Sequence, residues 1–252
     1  MKLGCHAVLF RERIKNETET ILKGLAATGF QGVEIGSRFF GTEDKSQLTD
    51  LLTQYHLELS GMHVGGVLKE WQDNEEEMAA KVLKVASFLK DMPNRNIVMS
   101  GNSFEGESDL PTIARNIEKV VQKCRDLGVR IHYHNHDWEF ANNGAIFKAL
   151  VEYAPSLYFG FDLGWVYVGG YDPFEIVKTY RSRITYVHLR DPQGTGKEFA
   201  DLGTGIFDYP KLLKELQPVL ANGWAVVEYE EGQQDFGRYT HAKAFLDHVM
   251  PS

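Results

Sequence analysis

A short apolar run followed by a helical pattern recurs eight times along the 252 residues of this chain. The strand-like runs cover residues 3–9, 32–35, 57–64, 96–99, 129–135, 157–162, 184–189 and 224–229. Helix signals separate them: Asn16 and Asp109 stand where helices should begin, and Gly29 and Gly128 stand where they should end. This alternation predicts parallel strands joined by helical crossovers.

Eight such units in a chain of this length predict an α/β fold, a closed (β/α)8 barrel that forms one domain over residues 1–252. The sequence has no Gly-rich phosphate-binding fingerprint and no Pro- or Ser-rich linker. Hydrophobic residues make up 43% and charged residues 25%, which excludes a disordered or fibrous chain. No uncharged apolar run approaches the ~20 residues of a membrane helix, so no membrane partner is expected.

The formal net charge of −8 lacks the basic footprint of a nucleic-acid binder and favours a small-molecule partner. Cys5 and Cys124 make neither a disulfide framework nor a zinc-finger spacing, and are expected to be reduced thiols. The apolar N-terminal stretch is short and contains His6, so it is interpreted as a first strand rather than a signal peptide. These features predict a cytoplasmic protein.

Ionisable residues recur where the strands end, which is where barrel enzymes carry their active sites. A histidine or carboxylate lies at one end of seven of the eight strands. They are His6, Glu34, His63, the run of residues 132–139, Asp162, His188 and Glu228. Because buried charge is costly unless it is paired or bound to metal, stability alone does not explain the joint pattern.

Strands five to eight are neighbours in such a barrel, so residues at their ends converge. The expected metal ligands are His134, Asp162, His188 and Glu228. Two imidazole nitrogens and two carboxylates suit Mn²⁺, Co²⁺, Zn²⁺ or Fe²⁺ better than Ca²⁺, and Mg²⁺ suits them less. Strand alternation puts His132, His134 and His136 on one face. His136 could replace His134 as the ligand, or lie above the metal and contact substrate.

Six motifs, in this order and spacing, resemble those of a known superfamily. They are GFQGVE at 29–34, HYHNHDWEF at 132–140, FDLGW at 161–165, VHLRD at 187–191, LGTGIFD at 202–208 and VEYE at 227–230. Together they resemble the xylose-isomerase-like TIM barrel superfamily, the sugar phosphate isomerase/epimerase group that includes endonuclease IV and inosose dehydratases. HYHNHDWEF is similar to a fifth-strand motif of one branch of this group. The resemblance spans nearly the whole chain.

The resemblance implies one divalent metal held by a Glu, an Asp, a His and a Glu on strands five to eight. Asp162, His188 and Glu228 match this pattern, but the first Glu falls at His134, where the chain departs from it. In the isomerases and epimerases of the group, the two glutamates also act as acid and base on opposite faces of the sugar. An imidazole bound to metal is a poor substitute for that base.

The resemblance therefore implies a divalent-metal-dependent sugar isomerase or epimerase that acts on a keto-sugar or related polyol. A proton would be removed next to a metal-polarised carbonyl, with Glu228 as the first candidate base. His136 or Glu139 would have to return the proton on the other face. The alternative is a metal-dependent dehydratase or lyase of the inosose dehydratase kind, in which one base and one acid are enough for a β-elimination.

Further side chains are candidates for binding a sugar, a keto-sugar or a cyclitol. They are His6, Glu34, His63, Trp71, Trp138, Trp165 and Arg190. The three tryptophans follow strands, and flat rings suit the C–H faces of a sugar. Arg190 follows the inward His188, so its side chain is expected to face outward toward a helix, although it could meet an acidic substrate. Trp224 begins a strand and is expected to be structural. The absence of a clear basic cluster favours an uncharged substrate.

Two other classes share parts of these features. An endonuclease-IV-like phosphodiesterase would need three metals and additional histidines, and Trp165 stands where one of those histidines is expected. A second alternative is a non-catalytic sugar-binding barrel, which His134 keeps possible because it replaces the expected glutamate. Members of the group are often dimers or tetramers, so the resemblance also implies a homo-oligomer.

Overall fold

Eight parallel strands close into a barrel in the computed structural model of the protein, which describes residues 1–104 and 106–250. The strands are β1 Lys2–His6, β2 Gly32–Gly36, β3 Glu58–Val67, β4 Asn96–Asn102, β5 Arg130–His134, β6 Tyr158–Asp162, β7 Ile184–Leu189 and β8 Trp224–Val227. Each strand pairs with its neighbours in chain order, and β1 closes the barrel against β8, with Lys2 opposite Trp224. The predicted (β/α)8 barrel is confirmed.

Helices surround the strands. They are α1 Arg13–Asn16, α2 Thr18–Ala27, α3 Lys45–Gln54, α4 Glu70–Asp73, α5 Glu75–Leu89, α6 Leu110–Asp126, α7 Ala141–Tyr153, α8 Leu163–Val168, α9 Pro173–Tyr180, α10 Tyr209–Val219 and α11 Gly237–Val249. Single 3₁₀ turns lie at Ala7–Phe10, Ser37–Phe39, Thr42–Asp44 and Arg181–Arg183. None of the described helices is long and apolar enough to cross a membrane.

Short-range signals explain where several helices begin and end. The carboxylates of Asp109, Asp172 and Asp208 accept hydrogen bonds from the first-turn amides of α6, α9 and α10. Gly29 and Gly128 have φ angles of 90° and 71°, the left-handed conformation that ends a helix. Asn16 was expected to begin a helix but is the last residue of α1, a short helix in which Ile14 is buried.

Several strand ends differ from the prediction, and β3 and β4 run three residues further than expected, to Val67 and Asn102. The first run was expected to extend to residue 9, but β1 ends at His6 and the chain continues as the 3₁₀ turn Ala7–Phe10. Leu9 and Phe10 are buried in that turn, so their apolar character reflects packing rather than strand pairing. The last strand ends at Val227, which leaves Glu228 just beyond it. A small antiparallel ladder that was not predicted pairs Asp191–Pro192 with Phe199–Ala200.

The barrel interior is apolar at the end where strands begin and polar at the end where they finish. Val98, Tyr186, Trp224 and Val226 form a buried cluster inside the barrel, separate from the larger core between strands and helices. Gly32 makes room for the Trp224 ring, because a Cβ at that glycine would lie 2.5 Å from it. Trp224 is therefore structural, as expected. Both cysteines are buried and free.

Candidate active site

Four buried side chains meet where strands β5 to β8 finish. They belong to His134, Asp162, His188 and Glu228, and one potential ligand atom of each lies within 4.8 Å of the others. His134 and Asp162 are the last residues of β5 and β6, His188 lies near the end of β7, and Glu228 follows β8. The barrel thus brings together the residues that the strand-end pattern selected.

The imidazole of His188 is held in a defined orientation. Its Nε2 lies 2.6 Å from Oε2 of Glu34, while its Nδ1 lies 2.5 Å from Nδ1 of His134 and 3.0 Å from Oε2 of Glu228. A carboxylate that accepts one ring N–H of a histidine fixes the tautomer and turns the other nitrogen toward a metal. Glu34 therefore aims the Nδ1 atom of His188 into the four-residue cluster.

Glu34 lies below this cluster and is fully buried. Its Oε1 is 2.9 Å from Nδ1 of His63, and its Oε2 also accepts a hydrogen bond of 2.7 Å from the Tyr186 hydroxyl. Both oxygens of Glu34 are therefore engaged under His188. The expected contact of Glu34 with substrate stays a prediction, and its present partners are His63, Tyr186 and His188.

His6 and His63 lie close to the same carboxylates. The Nδ1 atom of His6 is 3.1 Å from Oε1 of Glu228, and its ring stacks on those of His63 and His188 at centroid distances of 5.2 and 5.7 Å. Nε2 of His63 is 2.8 Å from the hydroxyl oxygen of Ser100. His63 is partly exposed, whereas His6 is buried. Of the two, His63 is therefore better placed to reach a ligand.

Burial and neighbouring charges set the protonation of the cluster. Burial alone would lower the pKa of His188, but the carboxylates of Glu34 and Glu228 outweigh it and raise the pKa to about 9. Burial also opposes ionisation of Glu228, yet Arg190 and His188 hold its pKa well below the usual range. For His134, burial and the charge on His188 hold the pKa well below its usual value. The cluster thus contains a neutral and a cationic imidazole.

The pKa of Asp162 shifts in the opposite direction from that of Glu228, because the effect of burial outweighs the effect of the nearby positive charges. Burial raises the pKa of Asp162 to about 7, although the nearby Arg190 opposes the shift. Its Oδ1 accepts the backbone N–H of Trp165 at 2.9 Å, which caps α8 and fixes the carboxyl group. The side-chain amide of Asn135 accepts the backbone N–H of Asp162 at 3.1 Å and donates to its backbone carbonyl at 3.2 Å. These bonds tie the ends of β5 and β6 together.

The four side chains fit a divalent metal. The buried atoms Asp162 Oδ2 and Glu228 Oε2 make ion-pair contacts with Arg190 Nε at 2.8 Å and with His188 Nδ1 at 3.0 Å, but accept no well-aligned hydrogen bond from the described residues. The Nδ1 atoms of His134 and His188 face one another. Their two lone pairs would repel unless a proton or a cation lies between the rings. Two nitrogens and two carboxylate oxygens are a common donor set for transition metals. The cluster could therefore bind such an ion.

Arg190 corrects one expectation. Its side chain was expected to face outward, but it is buried and turns inward, with Nε 2.8 Å from Oδ2 of Asp162 and Nη2 3.1 Å from Oε1 of Glu228. The same Nη2 atom lies 3.0 Å from the carboxylate of Glu230. The strand ends before Arg190, so the alternation of faces no longer holds there. The guanidinium lies beside two of the four candidate ligands.

An aromatic wall stands beside the cluster. The ring of His136 stacks on Trp138 with centroids 4.0 Å apart, and lies 4.9 Å from His134 and 6.0 Å from Trp165. Burial lowers the pKa of His136 to about 3, so its imidazole is neutral. The buried Nδ1 of His136 and the indole N–H of Trp165 have no hydrogen-bond partner within the described part of the chain. These buried polar atoms therefore have unused hydrogen-bonding capacity.

Glu139 lies behind this wall and is not the solvent-exposed loop acid that would be the ordinary case for its position. Its Oε1 accepts a hydrogen bond of 2.9 Å from the Tyr133 hydroxyl, and its Oε2 accepts the backbone N–H of His136 at 2.7 Å. Burial raises the pKa of Glu139 to about 7. The carboxyl group therefore supports the loop that carries His136.

The structure separates Trp71 from the other tryptophans that were expected to contact a sugar. Trp71 is buried in α4 and belongs to the core between strands and helices, and its backbone carbonyl accepts a hydrogen bond of 2.8 Å from Nδ2 of Asn116. The geometry thus contradicts a sugar contact for Trp71. Trp165 packs at the mouth against Phe199, with ring centroids 4.7 Å apart.

Sequence reasoning missed several residues that support the cluster. Tyr186 lies two residues before His188 on the same face of β7, so strand alternation could have identified it. Ser100 comes from β4, the one strand without an ionisable residue at its end, and a lone serine gave no signal. Asn135 was part of the quoted histidine-rich motif, but its bridge to Asp162 depends on the pairing of strands.

Residues 22–248 match the xylose isomerase-like TIM barrel family. The chain belongs to this family. It is 25% identical over 267 residues to the inosose dehydratase of Geobacillus kaustophilus, a match that covers 92% of this chain and 86% of the relative. Among solved structures, a D-tagatose 3-epimerase-like protein superimposes with a TM-score of 0.78 and 16% identity, covering 99% of this chain and 97% of that one.

A sugar phosphate isomerase/epimerase from Parabacteroides distasonis has the same fold, with a TM-score of 0.77 and 19% identity. That superposition covers 97% of this chain and 93% of the other. At these identities the two structures show the fold alone. The resemblance stated from the sequence motifs is confirmed at the level of the family.

Proposed function

We propose that this family member is a divalent-metal-dependent sugar isomerase or epimerase. Its substrate would be a small keto-sugar or cyclitol, from which the enzyme removes the proton next to a carbonyl group. The observation that carries the proposal is the orientation of His188, whose Nδ1 is turned by Glu34 into a buried cluster with His134, Asp162 and Glu228. These four residues would hold the metal. When bound, a divalent cation supplies the positive charge that polarises the carbonyl oxygen.

Glu228 is the proposed base. Arg190 and His188 keep its carboxylate ionised, and the buried Oε2 lies 3.0 Å from Nδ1 of His188. His6 approaches the other oxygen at 3.1 Å, so both oxygens have a neighbouring imidazole and the orientation of the carboxylate is fixed. A positioned, ionised carboxylate meets the geometric and protonation requirements of general base catalysis.

His136 is the proposed proton carrier on the opposite face; burial keeps its imidazole neutral at rest, so it would donate only a proton that it has first taken up from the substrate or from solvent. It follows β5, whereas Glu228 follows β8, and β6 and β7 stand between those strands in the barrel wall. Its Nδ1 is buried and unpaired among the described residues, and Glu139 holds its backbone. Two proton carriers on separate sides of the cluster are what an epimerisation or isomerisation requires.

Substrate recognition would combine aromatic and polar contacts. Trp138 and Trp165 present rings beside the cluster, and the unpaired indole N–H of Trp165 can donate to a hydroxyl. Arg190 can donate to a carbonyl or hydroxyl oxygen when it is not paired with Asp162. Lys197 lies beside the same loop but is paired with Asp137 at 2.6 Å, so it adds no free positive charge to that of Arg190, which favours a substrate without a phosphate group.

A second candidate function is a β-elimination. It is favoured by the likeness to inosose dehydratases and by His134, which stands where the family carries a second carboxylate acid/base. In that reaction Glu228 would remove the proton and a single acid, His136 or His63, would assist departure of a hydroxyl group. The same metal cluster would serve both reactions.

One experiment tests the proposal and separates the two reactions. The protein with Mn²⁺ is incubated in D₂O with a panel of keto-sugars and inososes and followed by NMR. Deuterium exchange with an epimer or isomer supports the first function, and loss of water supports the second. Glu228→Gln should abolish both, while His241→Asn, on the exposed face of α11, should leave the rate unchanged. Absence of exchange and of product with every substrate would contradict both functions.

A further inference from the structure

A separate cavity of about 730 Å³ opens at the other end of the barrel, where the strands begin. Its lining includes the first residues of four strands, Asn96, Arg130, Tyr158 and Trp224. Because β5 runs from Arg130 to His134, about 13 Å of strand separates this opening from the histidine cluster. Nothing in the proposed chemistry uses it.

Positive charge is concentrated in this cavity, although the chain as a whole carries a net charge of −8. Four arginines line it, Arg95, Arg125, Arg130 and Arg183, and no aspartate or glutamate lies among its described lining residues. We call it the arginine cavity. Four guanidinium groups around one concave opening produce a local positive potential that attracts anions, even in an acidic protein.

Three of the four guanidinium groups keep unused N–H donors. Arg130 donates one hydrogen bond, from Nη1 to the Thr185 hydroxyl at 3.1 Å, and lies over the Tyr158 ring at 4.8 Å. Arg95 donates from Nε to the carbonyl of Met92 at 3.1 Å. The guanidinium of Arg125 makes no hydrogen bond or ion pair within residues 1–104 and 106–250. Stacking on the Tyr158 ring holds the guanidinium of Arg130 in place and leaves most of its N–H groups without a partner among the described residues.

Arg183 has a different role. Its three guanidinium nitrogens donate to the carbonyls of Leu157, Val151 and Ala154, at 2.8, 3.1 and 2.7 Å. It therefore closes the C-terminal end of α7 and contributes charge rather than free donors. Burial lowers the pKa of Arg183, but the guanidinium stays protonated at any ordinary pH.

Two carboxylates near the cavity, those of Glu58 and Glu118, form hydrogen bonds with other partners. Glu58 accepts hydrogen bonds from Lys2 at 2.6 Å and from Asn94, which lines the cavity, at 2.7 Å. Glu118 accepts the backbone N–H of Ser156 at 3.0 Å and a side-chain bond from Gln122. Neither carboxylate bonds to Arg95, Arg125 or Arg130. The positive charge of these three arginines is thus left for a ligand.

We propose that the arginine cavity binds a small multivalent anion that carries a phosphate group or several carboxylates. Guanidinium forks bind both groups through paired, charge-assisted hydrogen bonds. The cavity volume lies in the range of sites that hold small metabolites. Bound there, the anion would bridge α6, which carries Arg125, and β5, which begins at Arg130, and so stabilise the folded barrel by mass action.

Isothermal titration of the holoprotein with inorganic phosphate and, separately, with tricarballylate tests this site. The wild type should bind at least one of the two anions at a single site. Binding of phosphate or of tricarballylate then shows whether the site prefers a phosphate group or several carboxylates. The double variant Arg125→Gln, Arg130→Gln should weaken binding by about tenfold or more, the usual value of a lost charged hydrogen bond. Arg115→Gln removes the same charge from an exposed position of α6 outside the cavity and should bind as the wild type does.

Two results would overturn the proposal. One is that neither anion binds the wild type at millimolar concentration. The other is that the double variant binds as tightly as the wild type, which would place the anion elsewhere, for example at Arg190. If the double variant does not fold, the titration is done with Arg125→Gln alone. Arg125 is exposed on α6 and its guanidinium makes no hydrogen bond within the described residues, so this substitution should not affect folding. Activity at the histidine cluster is not a readout here, so the two proposals fail independently.

Discussion

Nε2 of His188 and Oε2 of Glu34 lie 2.6 Å apart, although their strands, β7 and β2, are separated in the barrel wall by β8 and β1. The pair reaches across the interior just below the candidate metal cluster. It leaves Nδ1 of His188 facing His134 and Glu228. In the proposed site, Glu34, which was selected from its place at a strand end as a sugar contact, would orient a candidate metal ligand.

Replacing Glu34 with glutamine should weaken metal binding without unfolding the barrel. Glutamine keeps an acceptor oxygen for His188 but removes the charge that makes the imidazole a stronger ligand. Loss of such a partner lowers metal affinity by roughly 10–100-fold. Titration with Mn²⁺, monitored by calorimetry, measures the change.

Glu58→Gln provides a matched control for that comparison. Glu58 begins β3 at the opposite end of the barrel and pairs with Lys2. Its removal should leave the Mn²⁺ affinity unchanged. An equal loss in both variants would mean that total charge, and not the contact with His188, controls the affinity.

Metal binding should release protons at neutral pH. The carboxylates of Glu34 and Glu228 raise the pKa of His188 to about 9, so below that pH the ring must lose a proton before Nδ1 can bind a cation. Affinity should therefore rise about tenfold per pH unit between pH 7 and pH 9, and more steeply below pH 7, where Asp162 also becomes protonated. Calorimetry in buffers of different ionisation enthalpy counts the protons. An affinity that is flat from pH 7 to 9 would show that His188 is already neutral.

Glu139 should make the metal-free protein less stable as the pH rises. Burial raises its folded-state pKa to about 7, against about 4.5 in the unfolded chain, so the folded state binds the proton more tightly. The resulting stability is fully present below pH 4.5 and is lost as the pH rises through 7. The loss is on the order of 3 kcal/mol for this group. Urea unfolding at pH 5 and pH 8 should show a smaller difference in Glu139→Gln than in the wild type. Equal differences would mean that Glu139 ionises normally.

The sequence was sufficient to predict the barrel because each strand–helix unit carries its own signals. Apolar runs, aspartate caps and terminal glycines are local, and eight repeats leave one closed arrangement. The strand-end residues could be predicted for the same reason, since a parallel barrel brings all its strand ends to one rim. Where the chain leaves the strand, as at Arg190, alternation no longer fixes the side chain and the prediction failed.

Contacts across the barrel could not be predicted from local pattern. Glu34 and His188 are 154 residues apart in sequence, and the depth of each side chain depends on the stagger of the strands. Trp71 illustrates a second difficulty. It follows a strand, as a sugar-binding tryptophan would, but a short helix turns its ring into the core. Composition gives no sign of that turn.

The metal content of the purified protein and of one variant tests the central claim most directly. After incubation with Mn²⁺ and removal of free metal, elemental analysis should find about one equivalent in the wild type and in His241→Ala, which removes an exposed histidine of α11. His188→Ala should hold almost none and should keep the circular dichroism of a folded barrel. A wild type without metal, or a His188→Ala variant that keeps a full equivalent, would contradict the account.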